Sequence, residues 1–312
     1  MKNAGVRKTV PVASRTHGLS HADTVIVLAV AFGVLLMFLC MLRPAYQRKW
    51  RHDYILRCGT NLSDIGKAMT AYANDCDGAL PVAGGPQTIW AAGLNDWPSA
   101  SRDDAFGLDP NGAGGQATIS ASLYLLIRHG SLSPERFVCP KDKAAAAFRP
   151  AKYGITADRL RSVWDFGPDP ARHCSYAYHL PYSEFKLTTS SEPGMAVAAD
   201  RNPWIDGPRQ KAADFALFKP DVATFKGTSE QACQGNTQTH RTRPYRHGGQ
   251  NVLHLDGHVG FEKRAFCGFE DDNIYTTWDG SDRARGIPPV PYKSRPASDR
   301  DSLLVNDPPA SR

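Results

Sequence analysis

The sequence predicts an α+β protein in which a long N-terminal, membrane-continuous helix packs on an antiparallel β-sheet with loop-rich insertions. Three observations favour this class. An uncharged apolar run leads into a long stretch with helical periodicity. Later segments read as short strands and include a hairpin signal. Gly (27) and Pro (23) are frequent among the 312 residues, which is more typical of a loop-rich α+β domain than of a helical bundle.

The apolar run covers residues 24–42 and reads TVIVLAVAFGVLLMFLCML, without a charged side chain. At ~1.5 Å rise per residue it crosses a hydrocarbon core of ~30 Å. The main alternative is a cleaved secretory signal, whose apolar region is usually shorter and ends in small residues. Residues 37–44 read MFLCMLRP and lack such a site, so we expect the segment to be retained as a transmembrane helix.

Basic residues flank the anchor on both sides, so the positive-inside rule alone does not settle its orientation. The short N-terminal flank and the cysteine-bearing C-terminal bulk favour a cytoplasmic segment at 1–23 and an extracytoplasmic domain. We expect a single-pass protein of the cytoplasmic (inner) membrane. Much of the positive charge surrounds the anchor, where we expect it to contact lipid headgroups. No basic stripe is interleaved with aromatic residues, so a nucleic-acid partner is not expected.

Residues 43–78 are predicted to form a stalk helix. Apolar residues recur at spacings of 3, 4, 3, 4 and 3, which places them on one face of an α-helix: Ile55, Cys58, Leu62, Ile65, Met69 and Tyr72. The sequence NDCDG at 74–78, followed by Leu80-Pro81, marks the end of this helix.

Residues 79–283 are predicted to form the extracytoplasmic domain. It begins with a long loop at 79–117, and Ser120 is expected to cap a short amphipathic helix that ends at Gly130. Strands are predicted at 175–179 and 195–199. Residues 284–312 are rich in Pro, Ser and Asp and are predicted to be a disordered tail.

The clearest hairpin covers residues 251–263, NVLHLDGHVGFEK. Asp256 and Gly257 are predicted to form a two-residue turn in which both residues have positive φ. This pairing places His254 and His258 on opposite faces of the hairpin. Both faces are fairly apolar, so we expect the hairpin to be covered on both sides.

Two groups of residues have the chemistry of metal ligands. Histidines gather around Asp256, at His240, His247, His254 and His258, but the predicted turn separates His254 from His258. Asp271 and Asp272 lie in an acidic stretch to which Asp200 could add an oxygen ligand for Ca²⁺. Calcium needs six to eight oxygens and no EF-hand spacing is present, so a solvated acidic loop is the alternative. No resident cofactor is otherwise expected.

Motifs for nucleophilic, phosphate-binding or dinucleotide chemistry are absent from the sequence, so we expect the protein not to be an enzyme.

Cys40 lies in the anchor as apolar filling. The other six cysteines are dispersed, with no C-x-x-C pair, which argues against structural zinc and permits disulfides in an exported domain: Cys58, Cys76, Cys139, Cys174, Cys233 and Cys267. Connectivity stays open; we prefer Cys233 with Cys267, which bracket one compact segment.

Several motifs occur after the anchor and near the end of the domain. After the anchor come P-A-x-Q (44–47), C-x-x-N-L-x-x-I-G-x-A-M-x-x-Y (58–72) and N-D-x-D-G-x-L-P (74–81). Near the end of the domain come H-G-G-Q-N-V-L (247–253) and D-G-H-V (256–259). Together with the anchor and stalk, they resemble type IV pilins and type II secretion pseudopilins, in particular the group with a C-terminal H-x9-DG motif. Here eight residues rather than nine separate His247 from Asp256.

The resemblance implies a pilin-like fold and a non-enzymatic role in the cell envelope. The implied partners are the membrane, other pseudopilins or secretion-system components, and further copies of the chain. His247, Asn251, Asp256, Gly257 and His258 are the residues of the family motif.

The resemblance also implies a processing site. It lies between Gly18 and Leu19, with Asp23 at the fifth position after the cut. In pilins this acidic residue neutralises an N-terminal amine within the filament. The site departs from the family pattern in having Leu19 where pilins have phenylalanine.

Three functions follow from these observations. The leading hypothesis is a pseudopilin-like protein of a type II secretion or type IV pilus-like system that acts by assembly or protein contacts. The second is a membrane-tethered extracytoplasmic binding module that does not assemble. The third is a metal-dependent surface enzyme that uses His247, His254 or His258.

Overall fold

The computed structural model describes residues 20–130, 132–140, 142, 144–206, 249–262, 264–278, 280 and 282–309, with 44–53 described by their helical backbone alone. The chain forms two compact units, Met1–Trp50 and Arg51–Arg312. Helix α1 (His21–Asp75) contributes residues to both units.

The first unit contains the apolar part of α1. The segment His21–Arg43, 23 residues, is long and apolar enough to cross a membrane by length and composition. At ~1.5 Å per residue it spans about 35 Å. Its large apolar side chains, from Val25 to Leu42, are 46–65% exposed. This is consistent with the predicted single-pass anchor.

The second unit contains the C-terminal part of α1, and the predicted stalk face is confirmed. Cys58, Leu62 and Ile65 are fully buried, Met69 is 3% exposed, and the flanking Ile55 and Tyr72 are half-buried. The helix ends at Asp75, where predicted. Gly66 lies so close to the sheet that an added Cβ would meet Leu253 Cδ1 at 2.8 Å, so the absence of a side chain permits this contact.

Several short elements follow the long helix. The helices are α2 (Arg102–Phe106), α3 (Ile119–Arg128) and α4 (Pro203–Asp206). Strands β1 (Ile89–Trp90) and β2 (Gln116–Ala117) pair in parallel. Short 3-10 helices lie at Pro134–Phe137, Pro150–Tyr153, Ala157–Arg161, Pro170–Arg172 and Phe269–Asp271.

The main sheet has five strands in the order β6-β5-β4-β3-β7, and all of its pairings are antiparallel. Its strands are β3 (Tyr176–His179), β4 (Ala196–Asp200), β5 (Gln250–His254), β6 (Val259–Glu262) and β7 (Leu304–Val305). The α+β class and the antiparallel sheet agree with the sequence, as do the two predicted strands and the hairpin.

Apolar clusters cover both faces of the sheet. On one face Tyr178, Val197 and Leu253 share a core with the buried side of α1. On the other face Val252 and Leu304 pack with a segment that follows β6, through Ala265, Phe266, Ile274 and Tyr275. Strand β5 is buried along its whole length, so the expectation of cover on both sides is confirmed for this strand.

The predicted disordered tail is wrong for residues 284–309. Strand β7 pairs with β3, through Tyr178 with Val305 and His179 with Leu304. Leu303, Leu304 and Val305 are fully buried. The Pro-, Ser- and Asp-rich composition concealed one apolar triplet, which is enough to complete the sheet.

The region 79–117, predicted as a loop, contains β1, α2 and β2. The N-cap of helix α3 is Thr118, two residues before the predicted Ser120. Thr118 accepts a hydrogen bond from Ala121 N at 3.0 Å. Ser120 instead donates its hydroxyl hydrogen to the buried Asp165.

The predicted two-residue turn of the hairpin is also wrong. Leu253 pairs with Val259, and His254 N donates to His258 O at 3.0 Å, so three residues, 255–257, form the connection. Only Gly257 has a positive φ (+87°) there, as in a type I turn followed by a G1 bulge. The extra residue shifts the pairing by one and brings His254 and His258 to the same side.

Candidate functional site

The start of α1 is fixed by a reciprocal cap between Ser20 and Asp23. Asp23 N donates to Ser20 Oγ at 3.2 Å, and the Asp23 carboxylate accepts from Ser20 N at 3.1 Å and from Ser20 Oγ at 2.7 Å. This is a capping box, which satisfies donors that the first turn of a helix otherwise leaves unpaired. Asp23 therefore has a structural role besides the one that the pilin resemblance implies.

Several residues of the predicted sites lie outside the described residues. They are Gly18 and Leu19 of the processing site, His240 and His247 of the histidine group, and Cys233. The preferred pairing of Cys233 with Cys267 stays a prediction.

One disulfide joins Cys58 on α1 to Cys139, with Cα atoms 5.3 Å apart. Both residues were among the candidate cysteines, but no pattern in the sequence singled out this pair. Polar contacts hold the same loop against the helix. Asn61 Nδ2 donates to Val138 O at 3.1 Å, and Arg136 forms an ion pair with Asp64 at 3.4 Å.

Cys76 and Cys174 have free thiols. Burial raises the pKa of the Cys174 thiol to about 12, which keeps it protonated and unreactive at neutral pH. Cys267 is half-buried, and its sulfur contacts Ala265 O.

The described residues that carry the pilin resemblance gather in β5 and at the tip of the β5–β6 hairpin. Asn251 lies in β5, where its backbone N donates to the buried Asp200 carboxylate at 2.8 Å. Asp256 accepts from His258 N at 3.0 Å and pairs with His258 Nδ1 at 2.6 Å. The hydrogen bond from His258 N, more than any other contact, holds the pKa of Asp256 below its usual range.

His254 and His258 stack on one another, with ring centroids 4.3 Å apart and an angle of 6° between the planes. The expectation that they lie on opposite faces is therefore wrong. His254 Nδ1 contacts Gly194 O at 3.1 Å. Burial lowers the pKa of His254, which favours the neutral imidazole.

The three candidate calcium ligands do not form one cluster. Asp271 is exposed, whereas Asp272 is buried and accepts from Ser302 N at 2.7 Å. Asp200 lies within 4.8 Å of the Cys58 and Cys139 sulfur atoms, which are joined in the disulfide and so are not thiolate ligands. Within the described part of the chain, this sulfur-containing group is the one cluster of three potential metal ligands.

Asp307 is a key residue that the sequence prediction assigned to a disordered tail. Its carboxylate accepts from Ile119 N at 2.9 Å, Ser120 N at 2.8 Å and Trp90 Nε1 at 3.1 Å. Two of these donors belong to the first turn of α3, where a negative charge also interacts favourably with the helix dipole. In the sequence, the only sign of this role was that Asn306 and Asp307 directly follow Val305.

Buried carboxyl groups lie beside one another at two places. Burial, followed by the charge of Asp307, raises the pKa of Asp165 to about 7. Burial, followed by the charge of Asp301, raises the pKa of Asp272 to about 8. Burial also raises the pKa of Asp301 to about 6. These groups hold protons in the folded domain at pH values where an unfolded aspartic acid has lost them.

This predicts that the stability contributed by these buried carboxyl groups falls as pH rises from about 4 to about 8. The folded-state pKa values lie above the unfolded value of 3.8, so the folded state binds more protons across this window. The contribution of these groups is then greatest on the acid side and falls as pH passes their folded pKa values. We expect Asp272→Asn to reduce the slope of the free energy of unfolding against pH, measured by urea denaturation at pH 5 and pH 8. Asp271→Asn, at the exposed neighbouring residue, is the control. An Asp272→Asn slope as steep as that of Asp271→Asn would contradict the raised pKa of Asp272.

Comparison with known proteins finds no matching family model, no similar curated protein and no similar solved structure.

Proposed function

We propose that this chain is a non-enzymatic, pseudopilin-like protein of the cell envelope, in a type II secretion or type IV pilus-like system. It acts by assembly or protein contacts, with other pseudopilins, secretion-system components or copies of itself as partners. Helix α1 is the observation that carries the proposal. It supplies both an uncovered apolar segment of membrane-spanning length and the buried face of a domain with an antiparallel sheet.

The disulfide supports an extracytoplasmic position for the domain. The Cys58–Cys139 bond belongs to an oxidising compartment, because cytosolic reductants keep most thiols reduced. With one membrane span before it, the proposed topology places residues 1–23 in the cytoplasm and the domain outside the inner membrane. The same bond ties the stalk part of α1 to the loop that carries Cys139.

The experiment that tests this proposal has two measurements on the chain expressed at native level in a bacterium with a type II secretion or pilus system. Mass spectrometry is expected to find a mature N-terminus at Leu19, and Gly18→Val is expected to retain residues 1–18. Blue-native electrophoresis of a mild detergent extract is expected to show a ladder of oligomers or a complex with other envelope proteins. An N-terminus near Met1 together with a single monomer band would reject the pseudopilin role.

The capping box favours a second candidate, a membrane-tethered binding module that does not assemble. Ser20 and Asp23 satisfy one another within the helix start, so Asp23 needs no processed amine as a partner. An intact N-terminus with a monomer band is the result that this candidate predicts. Substituting Ser20 with alanine would then destabilise the start of α1 without changing the state of assembly.

A further inference from the structure

The tip of the β5–β6 hairpin places two histidine rings side by side. His254 and His258 flank the three-residue connection and stack almost in parallel, with centroids 4.3 Å apart. His258 is at the surface, with 56% of its side chain exposed, and His254 is largely buried beneath it. The stacked rings lie face to face, so they must turn toward each other for both Nε2 lone pairs to reach a common ion at ~2.0–2.1 Å, and the exposed position of His258 leaves its ring room to turn.

Each ring is oriented by a hydrogen bond at Nδ1. His254 Nδ1 lies 3.1 Å from Gly194 O, and His258 Nδ1 lies 2.6 Å from Asp256 Oδ1. Carbonyl and carboxylate oxygens accept hydrogen bonds, so each Nδ1 carries the ring hydrogen and each Nε2 carries a lone pair. Histidines that bind metals are held in the same way, by a backbone carbonyl or a carboxylate at the nitrogen away from the ion.

The two Nε2 atoms carry the lone pairs that a metal ion would bind. Neither makes a hydrogen bond to any residue in the described part of the chain. Asp256 is committed to His258, through both the backbone N and Nδ1 of that residue, so it orients the ring. It does not complete a three-residue ligand cluster with the two histidines.

We propose that His254 Nε2 and His258 Nε2 form a binding site for a divalent late transition-metal ion of the Zn²⁺ or Ni²⁺ class, with water at the remaining coordination positions. Neutral imidazole nitrogens favour these ions over Mg²⁺ or Ca²⁺, which prefer oxygen ligands. Because the protein supplies two ligands, the site is open and exchanges its ion readily. The site does not depend on the pseudopilin role.

The test uses the full chain in detergent micelles, purified through a histidine-free tag, with Ni²⁺ titrated at pH 7.5 by isothermal calorimetry. Unsubstituted protein is expected to bind Ni²⁺ with a dissociation constant in the micromolar range. His258→Gln is expected to weaken binding at least tenfold while leaving the urea denaturation midpoint unchanged, since His258 is exposed. It is the primary variant because the burial of His254 makes a substitution there more costly to folding.

His129→Gln is the matched control. His129 is another histidine with a carboxylate partner, Asp75 Oδ2 at 2.9 Å, and its ring contacts Tyr72 rather than a second histidine. We expect it to leave Ni²⁺ affinity unchanged. Absence of Ni²⁺ binding by the unsubstituted chain, or equal affinity in the His258→Gln variant, would overturn the proposal. So would an equal loss in the His129→Gln control.

Asp256→Asn tests the orienting role of the carboxylate. The asparagine keeps an oxygen for the His258 backbone N but loses the charge that fixes the Nδ1 hydrogen of His258. Ni²⁺ affinity is expected to fall about tenfold, as for other residues that orient metal-binding histidines. Affinity equal to that of the unsubstituted chain would show that Asp256 serves the turn alone and would contradict the proposed orientation of the ring.

Discussion

Replacing Asp307 with alanine is expected to lower the free energy of unfolding by about 3–5 kcal/mol. The substitution leaves three buried donors without an acceptor: Ile119 N, Ser120 N and Trp90 Nε1. Each hydrogen bond to a charged group contributes about 1.5–3 kcal/mol, and the loss of the charge also removes its favourable interaction with the start of α3. Relief of the repulsion between Asp307 and Asp165 offsets part of this loss.

The measurement is urea denaturation of the detergent-solubilised chain, followed by tryptophan fluorescence. Asp109→Ala is the matched control, because Asp109 also accepts two backbone N–H groups, from Asn111 and Ala113, but is exposed. We expect the control to cost less than about 1 kcal/mol, since water replaces the lost acceptor. Equal effects in the two variants would show that Asp307 does not hold the domain together.

The second large effect is expected from the Cys58→Ala/Cys139→Ala double variant. Its disulfide closes a loop across a sequence separation of 81 residues. The chain-entropy relation gives a stabilisation of about 4.5 kcal/mol for a loop of this length. Both cysteines are fully buried, so the substitution also leaves a small cavity between α1 and the loop that carries Cys139.

Denaturation midpoints of the double variant and the unsubstituted chain give this stabilisation directly. Cys76→Ser is the control, because Cys76 is a half-buried free thiol near the end of α1, and it should shift the midpoint little. Maleimide labelling of the denatured chain adds a readout of the bond, with Cys58 and Cys139 expected to react only after reduction. A double variant as stable as the control would contradict a structural role for the disulfide.

Periodicity predicted the parts of the fold that local pattern controls. The 3 and 4 spacing identified the buried face of α1, and Cys58, Leu62 and Ile65 are completely buried. Alternation and apolar content likewise located β3, β4 and the hairpin. These signals are local, because burial on one face imposes the same spacing wherever the element packs.

Long-range contacts were not predictable from pattern. The Cys58–Cys139 pairing and the cap on α3 join residues far apart in sequence, and composition carries no record of such partners. The predicted hairpin turn was one residue too short. Because side chains alternate on a strand, lengthening the turn from two residues to three reversed the predicted relation of His254 and His258. The sequence shows both histidines of the candidate metal site, but the wrong turn type placed them on opposite faces of the predicted hairpin.

Strand β7 has a consequence for the order in which the domain folds. During synthesis, β3 emerges long before residues 304 and 305, so one edge of the sheet keeps unpaired N–H and C=O groups until those residues arrive. The bond from Trp90 to Asp307 closes a separation of 217 residues at the same late stage. Contacts across such distances form slowly, because the intervening chain must be ordered first. An interrupted or clipped chain therefore presents an open sheet edge that can pair with other nascent strands, and chaperone protection matters most in the interval before the last strand is added.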